Sequence, residues 1–127
     1  MPKFRIAQKA TFTVEVAIPQ VGGKPIKVPF TFKHRDREQM AALYDDWNAR
    51  AEALRERFKN QEPSLAEVTS AEIENGVAQI KDLVTGWGFE DEFSDESIAD
   101  LVRSCMGVSD AIVQGYGDAY TKARLGN

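Results

Sequence analysis

Two runs of alternating apolar residues near the N-terminus, in residues 11–18 and 26–32, constrain the fold most strongly. Their apolar members are Phe12, Val14, Val16 and Ile18, then Ile26, Val28, Phe30 and Phe32. The pair Gly22-Gly23 between the runs permits a tight turn, so the pattern predicts a β-hairpin over residues 10–33. Pro29 has no N–H to donate to a ladder, so we expect a sheet edge or a bulge there. Since a lone hairpin is barely stable in water, its apolar face must lie against helices or a partner.

The rest of the chain has the pattern of about four amphipathic helices. Their expected starts carry side chains that cap a first turn: Asp36 with Gln39, Ser64 with Glu67, Thr69 with Glu72, then Ser94 and Ser109. Two successive capping pairs predict a short turn before the second helix, and Gly107 predicts the end of the third. Gly76 in the second helix predicts close approach of a neighbour. The sequence therefore predicts a single α+β domain, mainly α, over residues 1–127, with a hairpin at 10–33 and a helical part at 36–124.

The first helix carries an apolar stripe at spacings of four and three residues. Its members are Met40, Tyr44, Trp47, Ala51, Leu54 and Phe58, and Leu43 widens it. This spacing is most typical of a helix that packs into a core, and it also occurs in a helix that meets a second copy or another chain. Both interpretations stay open from the sequence.

The residue inventory argues against an enzyme and against a metal or cofactor site. The 127 residues are 43% apolar and 28% charged, which is typical of a globular domain. His34, the only histidine, has no placed nucleophile, and together with the only cysteine, Cys105, it cannot supply the four ligands of a structural zinc site. The acids of residues 90–96 lack the spacing and central glycine of a calcium loop. We also expect no signal peptide and no membrane-spanning segment.

Charge is distributed unevenly along the chain. Residues 1–35 carry seven Lys or Arg and one acid, a net charge of +6, whereas residues 36–127 carry nine bases and nineteen acids, a net charge of −10. A basic segment can contact nucleic acid, but here the bases are spread along a hairpin without a dense run. Lysines on a hairpin also discourage unwanted strand pairing, and this is the interpretation we prefer.

Residues 85–94 (TGWGFEDEFS) are the most unusual stretch. Gly86 and Gly88 do not have the spacing of a phosphate-binding loop, so we expect them to permit a sharp turn. The aromatic side chains beside them either pack as anchors or form a hot spot for a partner. The candidate partner-binding residues of the whole chain are Phe30, Phe32, Tyr44, Trp47, Trp87, Phe89 and Phe93.

Residues 80–89 (IKDLVTGWGF), followed by FSDESI at 93–98, resemble the small tail assembly chaperones of long-tailed bacteriophages and prophages. The hairpin, the LYDDWN segment at 43–48 and the final residues agree with this resemblance, which covers nearly the whole chain. It implies a protein that coats the tape measure protein, helps to bring tail tube subunits to it, and then leaves. It also implies action in the host bacterial cytoplasm, absence from the mature virion and no catalytic residues or cofactors. In some relatives a frameshift adds a C-terminal extension, and this chain resembles the short product.

Two other functions compete with a chaperone role. The first is a structural protein of the virion, such as a tail or connector component. The second is a nucleic-acid-binding phage regulator that would use the basic hairpin, although we do not expect nucleic acid or a membrane as the main partner. A homo-oligomer is compatible with all three functions.

Overall fold

The computed structural model describes residues 3–126 and confirms the hairpin. Strand β1 (Thr11–Ile18) pairs antiparallel with β2 (Ile26–Lys33), from Thr11 opposite Lys33 to Ile18 opposite Ile26. In the connecting turn Gly22 has a φ of 75°, which a glycine adopts without strain.

A third strand, β3 (Val84–Trp87), pairs antiparallel with β2, so the sheet order is β1-β2-β3. This strand was not predicted, because it is only four residues long and follows a helix directly. The register of the β2–β3 pair shifts between Thr31 and Phe32 and not at Pro29, and the extra residue there is Thr85 of β3. The Pro29 carbonyl accepts a hydrogen bond of 2.8 Å from Gly88 N, just past the end of β3. The backbone nitrogen of Pro29, which has no hydrogen to donate, therefore faces the β3 side of β2, at the point where the pairing with β3 ends and β2 becomes an edge.

Four helices complete an α+β fold that is mainly α: α1 (Arg37–Phe58), α2 (Leu65–Leu83), α3 (Asp95–Ser104) and α4 (Val108–Leu125). Asp36, Ser64 and Ser94 cap the first three helices, as predicted. Each cap is a reciprocal capping box, and the box of Ser94 with Ser97 was not predicted.

Two of the predicted helix boundaries are wrong. Helix α2 runs without a break past Thr69, because the Ser64 box already satisfies its first amides. Helix α3 ends at Ser104, and α4 starts after Gly107, whose φ of 91° makes the turn between them. Ser109 therefore lies inside the first turn of α4 and does not cap it.

The core lies between one face of the sheet and the helices α2, α3 and α4. Its fully buried side chains are Ile18, Phe30, Phe32, Ile80, Leu83, Ile98, Val108, Ile112 and Tyr116. Glycines allow the closest approaches: a Cβ on Gly115 would lie 2.9 Å from Val16 Cγ2. A Cβ on Gly76 would lie 3.1 Å from Ser109 Cβ, which confirms the predicted close neighbour.

Candidate protein-binding site

Phe30 and Phe32 belong to the core and not to a binding surface. Both are 0% exposed, and their rings stack 6.1 Å apart on the inner face of β2. Phe30 and Phe32 lie two and four residues after Val28 in β2, so all three side chains point to the inner face of the sheet. Neither ring is accessible to a partner in this structure.

Trp87, Phe89 and Phe93 form an aromatic corner that is half-buried. The Trp87 ring meets Phe89 at 5.1 Å and Phe93 at 5.0 Å, both edge to face. Trp87 Nε1 donates to the Asp91 carbonyl at 2.9 Å, and both Trp87 and Phe89 pack edge-on against Phe30. These contacts show the anchoring role that the sequence analysis considered, and they leave one side of the corner in contact with solvent.

Helix α1 lies loosely on the body of the protein. Leu43 is its only buried residue, although the helix has 22 residues. The rest of its apolar stripe is half-buried, and Tyr44 is 42% exposed. The Tyr44 and Trp47 rings meet edge to face at 5.7 Å. Most side chains of the stripe are therefore only partly buried.

Polar contacts to Asp82 of α2 hold the middle of α1. The Asp82 carboxylate accepts hydrogen bonds from Trp47 Nε1 at 2.9 Å and from the Arg50 guanidinium at 2.5 Å. Arg50 also donates to Asp46 at 2.8 Å. The hydrogen bonds to Asp46, which has the larger effect, and to Asp82 raise the pKa of Arg50. Trp47 is thus oriented by a fixed bond at one edge while its ring remains partly accessible.

The start of α1 is fixed by Arg35. Its guanidinium donates to the Asp82 carbonyl at 2.6 Å, and its backbone N–H donates to the Tyr120 hydroxyl at 2.8 Å. The Tyr116 hydroxyl donates to the Lys33 carbonyl at 2.8 Å, and burial raises the pKa of Tyr116. The two helices α2 and α4 therefore hold the junction between the sheet and α1.

A groove of about 700 Å³ lies between the C-terminal half of α1 and the N-terminal half of α2. Its apolar lining consists of Ala51, Leu54, Phe58 and Val68, and its charged rim of Glu52, Arg55, Glu56, Lys59 and Glu72. Leu65, in the first turn of α2, is 82% exposed and precedes Val68 by three residues, so the two are neighbours on the helix surface. We name the apolar residues Leu54, Phe58, Leu65 and Val68 the helical-hairpin surface. An apolar groove with a charged rim is the kind of surface that receives an amphipathic helix.

Sequence reasoning did not nominate Leu65 and Val68 as candidates, and it placed Leu54 and Phe58 only on the α1 stripe. Leu65 could have been found as a large apolar residue at the first position of a helix, away from the stripe formed by Ile73, Val77 and Ile80. Of the seven nominated residues, Tyr44 and Trp47 lie on α1. The aromatic corner lies elsewhere, on β3 and the segment that connects β3 to α3, and it packs against Phe30 of β2.

A family model described as phage tail assembly chaperone matches residues 1–127, the whole chain. The chain belongs to this family. No curated protein and no solved structure gives a significant match. Membership in a chaperone family suggests a non-enzymatic role for this tail assembly chaperone, with protein partners.

Three of the residues considered for chemistry, His34, Cys105 and Asp95, have structural contacts. The His34 ring packs 6.1 Å from Tyr120, and Cys105 Sγ donates to the Met106 carbonyl at 3.5 Å. Asp95 pairs with Lys81 at 3.1 Å. Over residues 3–126, no group of three or more His, Cys, Asp or Glu side chains is arranged to hold a metal ion. None of the helices in that range is both long enough and apolar enough to span a membrane.

Proposed function

We propose that this chaperone binds the phage tape measure protein through its helical-hairpin surface and helps to recruit tail tube subunits around it, without catalysis. Family membership supports the setting. The observation that carries the proposal is the loose packing of α1, which buries only Leu43 and leaves the rest of its apolar stripe partly open.

The dimensions of α1 suit a helical client. A helix of 22 residues is about 33 Å long, and only its C-terminal half faces the groove shared with α2. A client helix in this groove would cover Leu54, Phe58 and Val68 while its polar side faces the charged rim. Burying a Leu or Phe side chain contributes about 1.5–3 kcal/mol, so a few such contacts give a weak, reversible site.

Weak sites suit a client as long as the tape measure protein. Many copies bound along one polypeptide gain affinity from their number without any single tight contact. The same weakness lets tail tube subunits displace the chaperone as the tail grows. We propose that this exchange occurs in the bacterial cytoplasm and that the chaperone is absent from the mature virion.

Titration calorimetry with the purified tape measure protein tests the surface. We expect the double variant Phe58→Ser, Leu65→Ser to bind at least ~10-fold more weakly, because each lost apolar contact costs more than about 1 kcal/mol. Val21→Ser is the matched control, because Val21 is 83% exposed in the hairpin turn, away from the groove. Equal losses in both variants, or no loss in the double variant, would refute this surface. Circular dichroism verifies that each variant is folded.

Two further measurements separate the proposal from its rivals. Mass spectrometry of purified virions should show no stoichiometric copies of the chain, and such copies would indicate a structural tail or connector protein. Binding to the tape measure protein should change little between 50 and 200 mM salt, because it buries mainly apolar surface. Tight DNA binding that falls steeply over the same salt range would indicate a nucleic-acid regulator.

A further inference from the structure

The segment that precedes β1 carries two large apolar side chains in water. Phe4 is 92% exposed and Ile6 is 99% exposed. In an extended chain alternate residues point to the same side, so both would lie on one face of a strand. We name residues 3–9 the N-terminal arm.

The outer edge of β1 is open, since β1 is the first strand in the order β1-β2-β3. The Ala10 carbonyl accepts from His34 N at 2.9 Å, so the even-numbered residues of β1 direct their backbone groups toward β2. The backbone N–H and C=O groups of Thr11, Thr13, Glu15 and Ala17 therefore point outward. The strand has no proline, and its pairing with β2 is regular over eight residues, which makes it a template for another strand.

An apolar groove of about 890 Å³ runs beside this edge. The half-buried side chains of Phe12 and Val14 form one side, and Ala119, Tyr120 and Ala123 of α4 form the other. Gln8 and Lys9 of the arm, His34 and Lys122 also line the groove. A strand added to the β1 edge would place its inward side chains on this apolar floor.

The arm cannot fold back onto its own β1. The Ala10 carbonyl and Thr11 are already bonded to or paired with β2, and the chain bends at Ala10 and again at Ile6. A return turn would have to break those pairs. The edge of β1 is therefore available to a strand from another molecule.

We propose that the N-terminal arms of two copies exchange, each adding as an antiparallel strand to β1 of the other copy. In one register Ile6 lies opposite Val14, Phe4 opposite Val16 and Arg5 opposite Glu15. This register is two-fold symmetric about Ala10, so both arms are accommodated by one closed interface. In this register Arg5 and Glu15 form a hydrogen-bonded pair, because the N–H and C=O groups of Glu15 point outward from β1.

Charge supports this register. Glu15 is the only acid in residues 1–35, and it takes part in none of the ion pairs found within residues 3–126. The exchange pairs it with Arg5 twice in each dimer, while Phe4 and Ile6 lose their contact with water. The inference concerns self-association and stands apart from the proposed client binding.

Sedimentation velocity of the full chain between 1 and 100 µM tests the exchange. We expect the wild type to form dimers in this range and Phe4→Ser, Ile6→Ser to remain monomeric. Arg5→Glu and Glu15→Arg should each weaken dimerisation about tenfold or more, because like charges then face each other. The double variant Arg5→Glu, Glu15→Arg should recover the wild-type dissociation constant.

The matched control is again Val21→Ser, which should dimerise like the wild type. A wild type that stays monomeric at 100 µM would overturn the exchange, and so would a double charge variant that fails to recover. The exchange would also be overturned if the chain stayed monomeric and its β1 edge bound a strand of a client protein. All substituted positions in the arm are solvent-exposed, so loss of folding does not confuse the outcome.

Discussion

The buried hydroxyl of Tyr116 links three parts of the molecule. It donates to the Lys33 carbonyl of β2, lies 3.2 Å from the Tyr120 hydroxyl of α4, and receives a bond from Arg35 at 3.4 Å. Desolvation at a side chain that is only 1% exposed raises its pKa above the ordinary value of 10.0. The sequence shows Tyr116 as one apolar position of α4, but not that its hydroxyl closes the junction with α1.

This shift predicts a loss of stability in alkali. The folded state keeps the Tyr116 proton at pH values where the unfolded chain has already released it. The contribution of this group to the free energy of unfolding is therefore complete below pH 10.0 and is lost as the pH rises toward the raised pKa. We expect the free energy of unfolding to fall by up to about 1.4 kcal/mol per pH unit from this group. Urea denaturation between pH 9 and 11 measures it, with Tyr116→Phe as the reference. Parallel curves for the two proteins would contradict the assignment.

At the scale of elements, β3 shows which features the sequence could reveal. Alternation over eight residues identified the hairpin, and polar caps identified the starts of three helices, because both are local patterns. Strand β3 has four residues and pairs with residues more than fifty positions earlier, so no local pattern marks it. For the same reason the sequence could nominate Phe30 and Trp87 alike but could not show that only Phe30 is fully covered.

The two glycines around Trp87 differ sharply in their surroundings. A Cβ on Gly88 would lie 2.5 Å from Pro29 Cγ, whereas a Cβ on Gly86 has no neighbour within 4 Å. We expect Gly88→Ala to destabilise the protein by about 1–3 kcal/mol, since the rigid proline ring must move. Gly86→Ala should leave stability unchanged or raise it by up to about 1 kcal/mol. Urea titration compares the pair, and similar effects in both variants would refute the packing of β3 against Pro29.

On the scale of the whole molecule, a well-packed sheet with α2, α3 and α4 carries a loosely attached α1. The sequence predicted one domain, and the shared use of α2 by the core and by α1 supports a single unit. We therefore expect one cooperative unfolding transition, with coincident changes in near- and far-ultraviolet circular dichroism. Separate melting of a helical fraction before the aromatic signal changes would contradict this expectation.

The central claim is that the exposed apolar surface of this chain keeps a long client in solution. Co-expression with the tape measure protein tests it most directly, by measuring the soluble fraction of the client. We predict that the wild-type chaperone raises this fraction severalfold over client alone, that Val21→Ser does the same, and that Phe58→Ser, Leu65→Ser does not. A client that is equally soluble with all three proteins and without any of them would contradict the account.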